Sequence, residues 1–503
     1  MSEQQWVPLA EALQLAESRR GAGDLVAAEA LCRQVLSARP GHAQALHQLG
    51  IVLHTKGDLA GAIDVLRQAV AADAGVALYH SNLGELCRQA GRHDEAVSEA
   101  ECALALDPWN IAVLNNLGIA HYERDEYEEA IGHYRRAIEL EPLSSRAYSN
   151  LGNALLALGK PVEAVPLYRQ AIALEPDYVD AHNNLAMTLL ITGHFEEGWR
   201  EFEWRHRRPG RERLQALGPI WEGESFSGKT LMVMAEEGHG DAIHFMRYLP
   251  AVAERCGKLV VAVHRPLMGL TRRLVPEAEV VALGGASPSV DAWCPMMSLP
   301  RVFGTTLETI PAAVPYLSVD PAVAERWRAR LGASRGLKVG VVWSGAQGYG
   351  NNVRRAMPAE RLAPLLDLEG VSWFSLQVGE RAPELARLPP GIVDLSPELT
   401  DFGETAGALL GLDLLISTDT SVPHLAGALA RPVWVMLAFM PDWRWLLDRD
   451  TCPWYPTMRL FRQRARGAWE DVVRRVGVEL RAVLAGGRDR LTPQAGQTVI
   501  SGG

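Results

Sequence analysis

The sequence predicts two regions of different fold class, a helical repeat array followed by an α/β region built on parallel sheets. The first observation is a 34-residue spacing of small residues that persists to about residue 206. The second is the alternation of short apolar segments with helical ones beyond that point, which is typical of parallel sheets with crossover helices. The third is length, since 503 residues exceed what one hydrophobic core holds.

These observations divide the chain into five predicted segments. They are a repeat array at 1–206, a basic linker at 207–218, a first sheet at 219–335, a second sheet at 336–485 and a disordered tail at 486–503. Acidic residues concentrate in the array, which holds 16 Lys and Arg against 29 Asp and Glu, while the rest of the chain holds 34 against 31. This excess argues against nucleic acid as a ligand and favours a neutral or basic partner for the array.

Composition excludes several further classes. Glycine and proline, at 46 and 30 residues, are near average, which argues against collagen-like and wholly disordered chains. The six cysteines include no C-x-x-C pair and no cluster with histidine at zinc spacing, so we expect neither a disulfide scaffold nor a zinc site. The start of the chain lacks the features of a secretory signal, and no apolar run approaches the length of a membrane span, so we expect a cytoplasmic protein.

Two columns of small residues define each repeat. One column contains Ala16, Gly50, Gly84, Gly118, Gly152 and Ala186, and the other contains Ala28, Ala62, Ala96, Ala130, Ala164 and Gly198. Since only small side chains fit where two helices approach closely, each unit is predicted to be a helix, a turn and a second helix, and six stacked units bury a continuous core. The pattern resembles the tetratricopeptide repeat. The sixth unit departs from it with Trp199, Phe202 and Arg205, and we expect it to cap the array and dock on the α/β region.

A column of side-chain amides precedes the first column of small residues by two positions. It contains Gln48, Asn82, Asn116, Asn150 and Asn184. An amide both donates and accepts, so such a column is able to hold the backbone of an extended peptide whatever its side chains are. The O-GlcNAc transferases carry a similar asparagine ladder, and the resemblance implies an acceptor protein held in the groove of the repeats. The alternative is that these residues only cap or space helices.

Two short motifs are interpreted as coincidental. Residues 223–230 fit the phosphate-loop expression, but a phosphate loop follows a buried strand and opens a helix, whereas an apolar strand follows this motif. Residues 448–450 match a metal-binding D-x-D triplet, but short charged triplets are common. We therefore expect neither nucleotide hydrolysis at the first motif nor a metal ion at the second.

The first candidate site follows a predicted strand at Leu231 and reads Gly238, His239, Gly240 and Asp241, with a helix after it. The glycines let the backbone approach a ligand closely. Asp241 stands at the start of the helix, where an aspartate either caps the helix or acts as a general base towards an acceptor hydroxyl. Both roles for Asp241 remain open.

The second candidate site follows the predicted strand at 339–343. Ser344 and Gly345 lead into a glycine-rich polar loop, which continues through Asn351, Asn352, Arg354 and Arg355. Such a loop is able to fold over a diphosphate, which an arginine neutralises, and Gln377 at the end of the next strand is expected nearby. The alternative is a flexible surface loop with solvated arginines.

The third candidate site is a buried strand that runs into Asp419, Thr420 and Ser421 and then into a helix containing His424. Hydroxyls, free amides and the start of a helix converge there, which favours an anion site. Asp419 does not suit a phosphate and is expected to hold sugar hydroxyls instead. His424 is assigned to the cleft, with a place in the core as the alternative.

Residues 219–470 resemble the GT-B glycosyltransferases of the ADP-heptose:lipopolysaccharide heptosyltransferase kind. The matching stretches are GHGDAIHFMRYLP, VGVVWSG, RRAMP, DTSVPHLAGAL and PDWRWLLDRDTCPWYPTMRLFRQ. The resemblance implies two Rossmann-like lobes, the first on the acceptor side and the second on the nucleotide-sugar side. It implies that Asp241 is the catalytic aspartate, that Arg355 replaces a phosphate-binding lysine, and that the Asp419–His424 turn binds the donor. Because Arg355 and the segment 443–463 depart from that pattern, a flagellin-glycosylating protein of the same domain order is the closer analogue.

Together these observations predict a metal-independent, inverting glycosyltransferase without a cofactor. It would move a sugar from a nucleotide-sugar to a Ser or Thr hydroxyl of a protein docked on the repeats, such as flagellin. Two other classes remain open. One is a non-catalytic scaffold with a degenerate sugar-nucleotide fold, since fold alone does not confer activity. The other is an enzyme that acts on lipopolysaccharide or another glycan, with the repeats as assembly modules.

Overall fold

The computed structural model describes residues 9–208, 210, 218–285, 288–345 and 355–493. The chain divides into two compact units, Met1–Asn184 and Leu185–Gly503. Several predicted features lie outside the described residues. These are most of the linker at 207–218, the end of the tail at 486–503, and Asn351, Asn352 and Arg354 of the glycine-rich loop.

Antiparallel helix pairs build the first unit and continue into the start of the second. The helices are α1 Leu9–Gly21, α2 Leu25–Ala38, α3 Ala43–Thr55, α4 Leu59–Ala72, α5 Ala77–Gln89, α6 His93–Leu106, α7 Ile111–Glu123, α8 Tyr127–Leu140, α9 Ser145–Ala157, α10 Pro161–Leu174, α11 Val179–Ile191 and α12 Phe195–Phe202. Local capping sets some of their starts. Asp24 and Asp58 precede α2 and α4, and each accepts a hydrogen bond from a first-turn amide.

The glycine column lies where the two helices of a repeat cross. A Cβ atom added at Gly118 of α7 would stand 2.5 Å from the Tyr134 ring of α8, and one at Gly152 would stand 2.7 Å from the Tyr168 ring. Both tyrosines are fully buried. In these two repeats the small residue of the 34-residue period is therefore required because it faces a large buried side chain.

Gly118→Ala is expected to destabilise the first unit by about 1–3 kcal/mol, because the added methyl group overpacks the contact with Tyr134. Gly132→Ala is the matched control, since Gly132 is an exposed position of α8 with nothing within 4 Å of an added Cβ. In a helix interior this second change is expected to stabilise by about 0.5–1 kcal/mol. Urea unfolding followed by far-UV circular dichroism measures both, and equal effects of the two substitutions would contradict the packing argument.

The second unit contains two parallel sheets among its described residues. The first has the order β3-β2-β1-β4. Its strands are β1 Phe226–Met234, β2 Cys256–Val263, β3 Glu279–Ala282 and β4 Ala292–Pro295. The α-helices between residue 239 and the second sheet are α13 His239–Phe245, α14 Leu249–Ala253, α15 Met268–Leu274, α16 Leu299–Val302 and α17 Pro321–Gly332.

The second sheet has the order β10-β9-β8-β5-β6-β7. Its strands are β5 Leu337–Val342, β6 Val371–Ser375, β7 Val393–Asp394, β8 Leu414–Thr418, β9 Val433–Leu437 and β10 Met458–Arg462. Its helices are α18 Ala363–Leu366, α19 Phe402–Gly411, α20 Ser421–Ala428 and α21 Trp469–Leu484. A core on one face of this sheet joins β5, β8 and β9 to α21.

Short apolar segments at 231–235, 259–263, 280–283, 339–343, 371–376, 412–417 and 432–437 predict seven strands, and each corresponds to a strand of the structure. Three further strands, β4, β7 and β10, were not predicted. Two of these, β4 and β7, have four and two residues, too few to show a hydrophobic period. Strand β1 begins at Phe226, five residues earlier than predicted. Gly228, Lys229 and Thr230 of the phosphate-loop-like motif therefore lie inside a strand, and no helix opens at the motif to receive a phosphate.

The predicted tail and the sixth repeat each contact the α/β part of the second unit. Part of the predicted tail is ordered, because Arg488–Leu491 form a 3-10 helix whose Leu491 carbonyl accepts a hydrogen bond from the Trp434 indole at 3.1 Å. The sixth repeat contributes Phe195, Trp199 and Phe202 to the large buried cluster of the second unit. The Trp199 indole donates to the Thr305 carbonyl at 2.9 Å.

Candidate functional site

A cavity of about 450 Å³ lies at the carboxyl ends of the strands in the second unit. It brings together six residues that the sequence analysis assigned to three separate sites, namely His239, Ser344, Gly345, Gln377, Thr420 and Ser421. In open α/β sheets ligands bind at this edge, because the loops that leave the strands converge there. The cavity is therefore the candidate ligand site of this unit.

The loop after β1 meets helix α20 at Gly240. A Cβ atom there would lie 3.3 Å from the Cα of Ser421 and 3.2 Å from the His424 ring, so no larger residue fits without displacing one of them. The preceding His239 ring lies 4.7 Å from the His264 ring and 5.1 Å from the Phe402 ring. Glycine thus lets the loop that carries Asp241 contact the helix that begins beside the cavity.

Asp241 lies in the first turn of α13, and both its carboxylate oxygens are engaged. Oδ2 accepts a hydrogen bond from the Gly238 amide at 3.0 Å, and Oδ1 accepts one from the Arg444 guanidinium. Desolvation raises the pKa of this carboxyl above its ordinary value, and the Arg444 charge opposes the rise. The side chain keeps 26% of its surface exposed although the carboxyl is largely desolvated, and its hydrogen bond with Gly238 caps the helix.

Arg444 is a site residue that the sequence analysis did not identify. It lies in the segment after β9, and its guanidinium contacts Asp241 and Asp442, the latter at 2.9 Å. It also lies 4.4 Å from the centre of the Trp443 ring, and only 7% of its side-chain surface is exposed. Asp442 is only two residues away along the chain, but Asp241 is 203 residues away, so no local pattern indicates that Arg444 contacts the candidate base.

Asp419 directly follows β8 and is 6% exposed. Burial and the neighbouring Asp442 carboxylate raise its pKa to about 6, while the positive charges of Arg355 and Arg444 act in the opposite direction. Arg355 therefore lies within electrostatic range of Asp419. The Nε atom of Arg355 is buried, and no described residue accepts a hydrogen bond from it.

Asp419→Asn is expected to stabilise the second unit near neutral pH. The folded pKa of about 6 exceeds the ordinary value of 3.8, so the folded chain holds a proton that the unfolded chain has lost. The stability linked to this group is complete at low pH and is lost as pH rises through 6, by roughly 2–3 kcal/mol. Tryptophan-monitored unfolding of variant and parent at pH 7.5 and pH 4.5 tests this, and a gain of equal size at both pH values would contradict it.

The residues after Asp419 divide between the cavity and the core. Thr420 is the N-cap of α20, accepts a hydrogen bond from the Val422 amide at 3.3 Å and lines the cavity together with Ser421. His424 is 5% exposed and stacks on Trp445, with its Nδ1 atom 3.2 Å from the Tyr455 hydroxyl. Burial holds the pKa of His424 well below its ordinary value, so the ring is neutral. This placement matches the core alternative for His424.

Gln377 uses its amide to fix the loop after β5. The amide oxygen accepts hydrogen bonds from the amides of Trp343 and Ser344 at 3.0 and 2.9 Å. The amide nitrogen donates to the carbonyls of Ser344 and Val378 at 2.9 and 3.0 Å. Since its hydrogen-bonding capacity is satisfied within the protein, Gln377 positions Ser344 at the cavity wall.

The amide column of the first unit is half-buried along its length, and its members differ in their contacts. Asn82 donates to Nε2 of His47 at 2.7 Å, whereas Asn116 lines a small cavity together with Arg88 and Glu85. Asn150 and Asn184 have the same half-buried exposure. Gln48, the first member of the column, donates to Glu17 at 3.2 Å. The column therefore offers partly exposed amides, several of which also have protein partners.

Comparison with known proteins finds similarity to tetratricopeptide repeats and to a curated protein. Models of the tetratricopeptide repeat match residues 19–86, 75–141, 115–178 and 167–200. The chain is 30% identical over 320 residues to protein FlbA of Caulobacter vibrioides. The matched region covers 58% of this chain and 53% of FlbA. The match thus spans about half the length of this curated relative.

Solved structures with similarity to this chain include MamA and Pseudomonas aeruginosa pilF. MamA is 27% identical with a TM-score of 0.31, covering 32% of this chain and 94% of MamA. The pilF structure is 19% identical with a TM-score of 0.37, covering 41% of this chain and 96% of pilF. Over the described residues, every helix is too short or too polar to cross a bilayer. The four repeat matches and the paired helices that they cover show that residues 19–200 are tetratricopeptide repeats.

Proposed function

We propose that the second unit is a glycosyltransferase of GT-B fold that moves a sugar from a nucleotide-sugar to an acceptor hydroxyl. The observation that carries the proposal is the convergence of three strand-end loops on one cavity, and one of these segments continues from the lining residue His239 to Asp241. The order of each parallel sheet and the stretches that resemble heptosyltransferases support the same fold. The first sheet would form the acceptor side and the second the nucleotide-sugar side.

The donor would lie in the cavity beside α20. The hydroxyls of Thr420 and Ser421 line it, and the amides at the start of the helix favour a negatively charged group there. Arg355 offers a further donor, because its buried Nε is not hydrogen-bonded to any described residue. These groups would stabilise the charge that develops on the departing nucleotide phosphate, which is the largest contribution in many transferases.

Asp241 would act as the general base. Its side chain is partly exposed and follows the contact between Gly240 and Ser421 by one residue, and Gly238 and Arg444 fix the orientation of its carboxylate. The acceptor hydroxyl would transfer its proton to Asp241 while its oxygen attacks the anomeric carbon, and the bond to the nucleotide phosphate would break on the opposite face. The product would carry the inverted configuration.

The repeats would hold the acceptor, which we propose to be a protein such as flagellin. Repeat arrays present extended binding surfaces, and the partly accessible amides of Asn116 and Asn150 suit a peptide backbone. The acidic composition of the array favours a neutral or basic segment around the modified Ser or Thr. This division of labour accounts for two architectures in one chain.

Incubation of the full chain with a panel of nucleotide-sugars tests the transferase. We expect nucleotide release from one donor class, and intact-protein mass spectrometry is expected to show a sugar-sized increment on the acceptor. If no nucleotide is released from any donor, with or without acceptor, the transferase proposal fails and the non-catalytic scaffold is favoured. Release with a glycan acceptor but no increment on any protein would indicate the glycan-directed alternative.

The acceptor role of the repeats is tested with the double variant Asn116→Ala/Asn150→Ala. Protein glycosylation is expected to fall while acceptor-independent donor hydrolysis stays at the parent rate, because the change lies in the first unit. Gln68→Ala, at an exposed position of α4, is the control. Equal protein glycosylation in the double variant and the control would remove the amide column from acceptor binding.

A further inference from the structure

Arg444 lies between the carboxylates of Asp241 and Asp442. It donates to Asp241 and to Asp442, and its own backbone amide also donates to Asp442 at 3.0 Å. Its guanidinium packs on the Trp443 ring at 4.4 Å and on the Phe245 ring at 5.5 Å. A side chain anchored by two carboxylates and two rings has one available geometry, so its contact with Asp241 is preorganised.

We propose that Arg444 is a positioning residue that keeps Asp241 ionised and oriented for proton transfer. The expected effect of Arg444 on the reaction rate rests on the proposed function, whereas its expected effect on the ionisation of Asp241 does not. Asp241 is desolvated by the protein around it, and an isolated carboxylate in such a place tends to take up a proton. A protonated Asp241 would have no capacity to accept the hydroxyl proton. The adjacent guanidinium favours the ionised form and leaves lone pairs on both oxygens for the acceptor.

The groups that face Asp241 come from three elements. Glu237 belongs to its own loop, His264 follows β2, and Asp442 and Arg444 follow β9. Asp442 and Glu237 raise the pKa of Asp241, whereas Arg444 lowers it. Burial favours the neutral form of His264, so this ring supplies little compensating charge. Arg444 is therefore the main positive charge that opposes protonation of Asp241.

Arg444→Gln is expected to move the acid limb of the pH profile of kcat/KM upward by about one to three pH units, the range by which an adjacent arginine lowers the pKa of an aspartate. Arg444→Lys retains the charge and is expected to restore most of the parent profile. A purely structural role would lower the rate by the same factor at every pH, and that outcome would overturn the proposal. Arg326→Gln, which breaks an exposed ion pair with Glu404, is the control.

Asp442→Asn provides an opposite test and covers the case in which Arg444→Gln does not fold. It keeps an oxygen that is able to accept from the Arg444 amide and removes one of the negative charges near Asp241. The acid limb is expected to move to lower pH. An unchanged limb or an upward movement would overturn the proposal.

A direct titration separates this inference from the proposed function. The chain is labelled with ¹³C at aspartate carboxyls, and the Asp241 signal is identified by its loss in Asp241→Asn. We expect this signal to titrate at higher pH in Arg444→Gln than in the parent. If the signal shifts but no nucleotide-sugar is turned over, the transferase proposal fails and the ion-pair role remains. If turnover occurs without the shift, the ion-pair role alone fails.

Discussion

Asp241→Asn is expected to lower kcat for sugar transfer, followed as nucleotide release in the presence of acceptor, by about two to four orders of magnitude. This is the range that one general base contributes. Asparagine is nearly isosteric and keeps an oxygen that is able to accept from the Gly238 amide. It has no capacity to take a proton from the acceptor hydroxyl. Donor affinity is expected to change little, because Thr420, Ser421 and Arg355 remain in place.

The measurement is kcat at saturating donor and acceptor, together with donor binding by calorimetry. Asp367→Asn is the matched control, since Asp367 is exposed in the same unit. Equal kcat in Asp241→Asn and the parent would remove this carboxylate from the mechanism. Loss of donor binding in step with kcat would instead assign Asp241 to the donor site.

The second large effect is expected at a buried ion pair between the sixth repeat and the first sheet. Arg205 and Glu236 have 5% and 1% of their side-chain surfaces exposed. Nη2 of Arg205 lies 3.0 Å from Oε2 of Glu236. Arg205 also donates to Glu203 at 2.8 Å and to the Ser298 hydroxyl at 2.6 Å. Glu236 follows β1 and leads into the loop that carries Asp241. This ion pair therefore helps to hold the segment between β1 and Asp241 in place.

Glu236→Leu is expected to destabilise the second unit by about 3–5 kcal/mol, because it leaves the buried Arg205 guanidinium with only part of its compensation. The double variant Arg205→Met/Glu236→Leu removes both charges and is expected to recover most of the loss. Urea unfolding followed by tryptophan fluorescence reports the second unit, since twelve of the fourteen tryptophans lie at or after residue 199. A single variant no less stable than the double variant would contradict the argument.

Local patterns of the sequence were sufficient for the repeats and for most of the strands. Gly118 and Gly152 repeat because each faces a tyrosine of the adjacent helix in the same unit. Strands such as β8 and β9 are buried along their whole length, so they read as continuous apolar segments. Strands β4 and β7 escaped prediction because a segment of four or two residues carries no period.

The sequence predicted the three loops of the candidate site, but it did not predict the cluster of charged side chains around Arg444. His239, Ser344 and Thr420 follow strand ends, and parallel strands bring such ends to one edge, so their meeting at one cavity was predictable. Gln377 was expected near the ligand and does line the cavity, but its side-chain amide is already hydrogen-bonded to the neighbouring backbone. His424 was expected at the cleft, but its ring packs among buried aromatic side chains.

The sequence by itself determined the repeat period, the order of helices and strands, and the loops at which a ligand site was expected. These features follow from contacts and hydrogen bonds between residues close together along the chain. Only the tertiary structure decided the charges of the site, because Arg444 and Asp241 are 203 residues apart. The protonation of a carboxyl depends on the water removed around it and on the charges that folding brings within a few ångströms, and neither quantity is written in the local pattern.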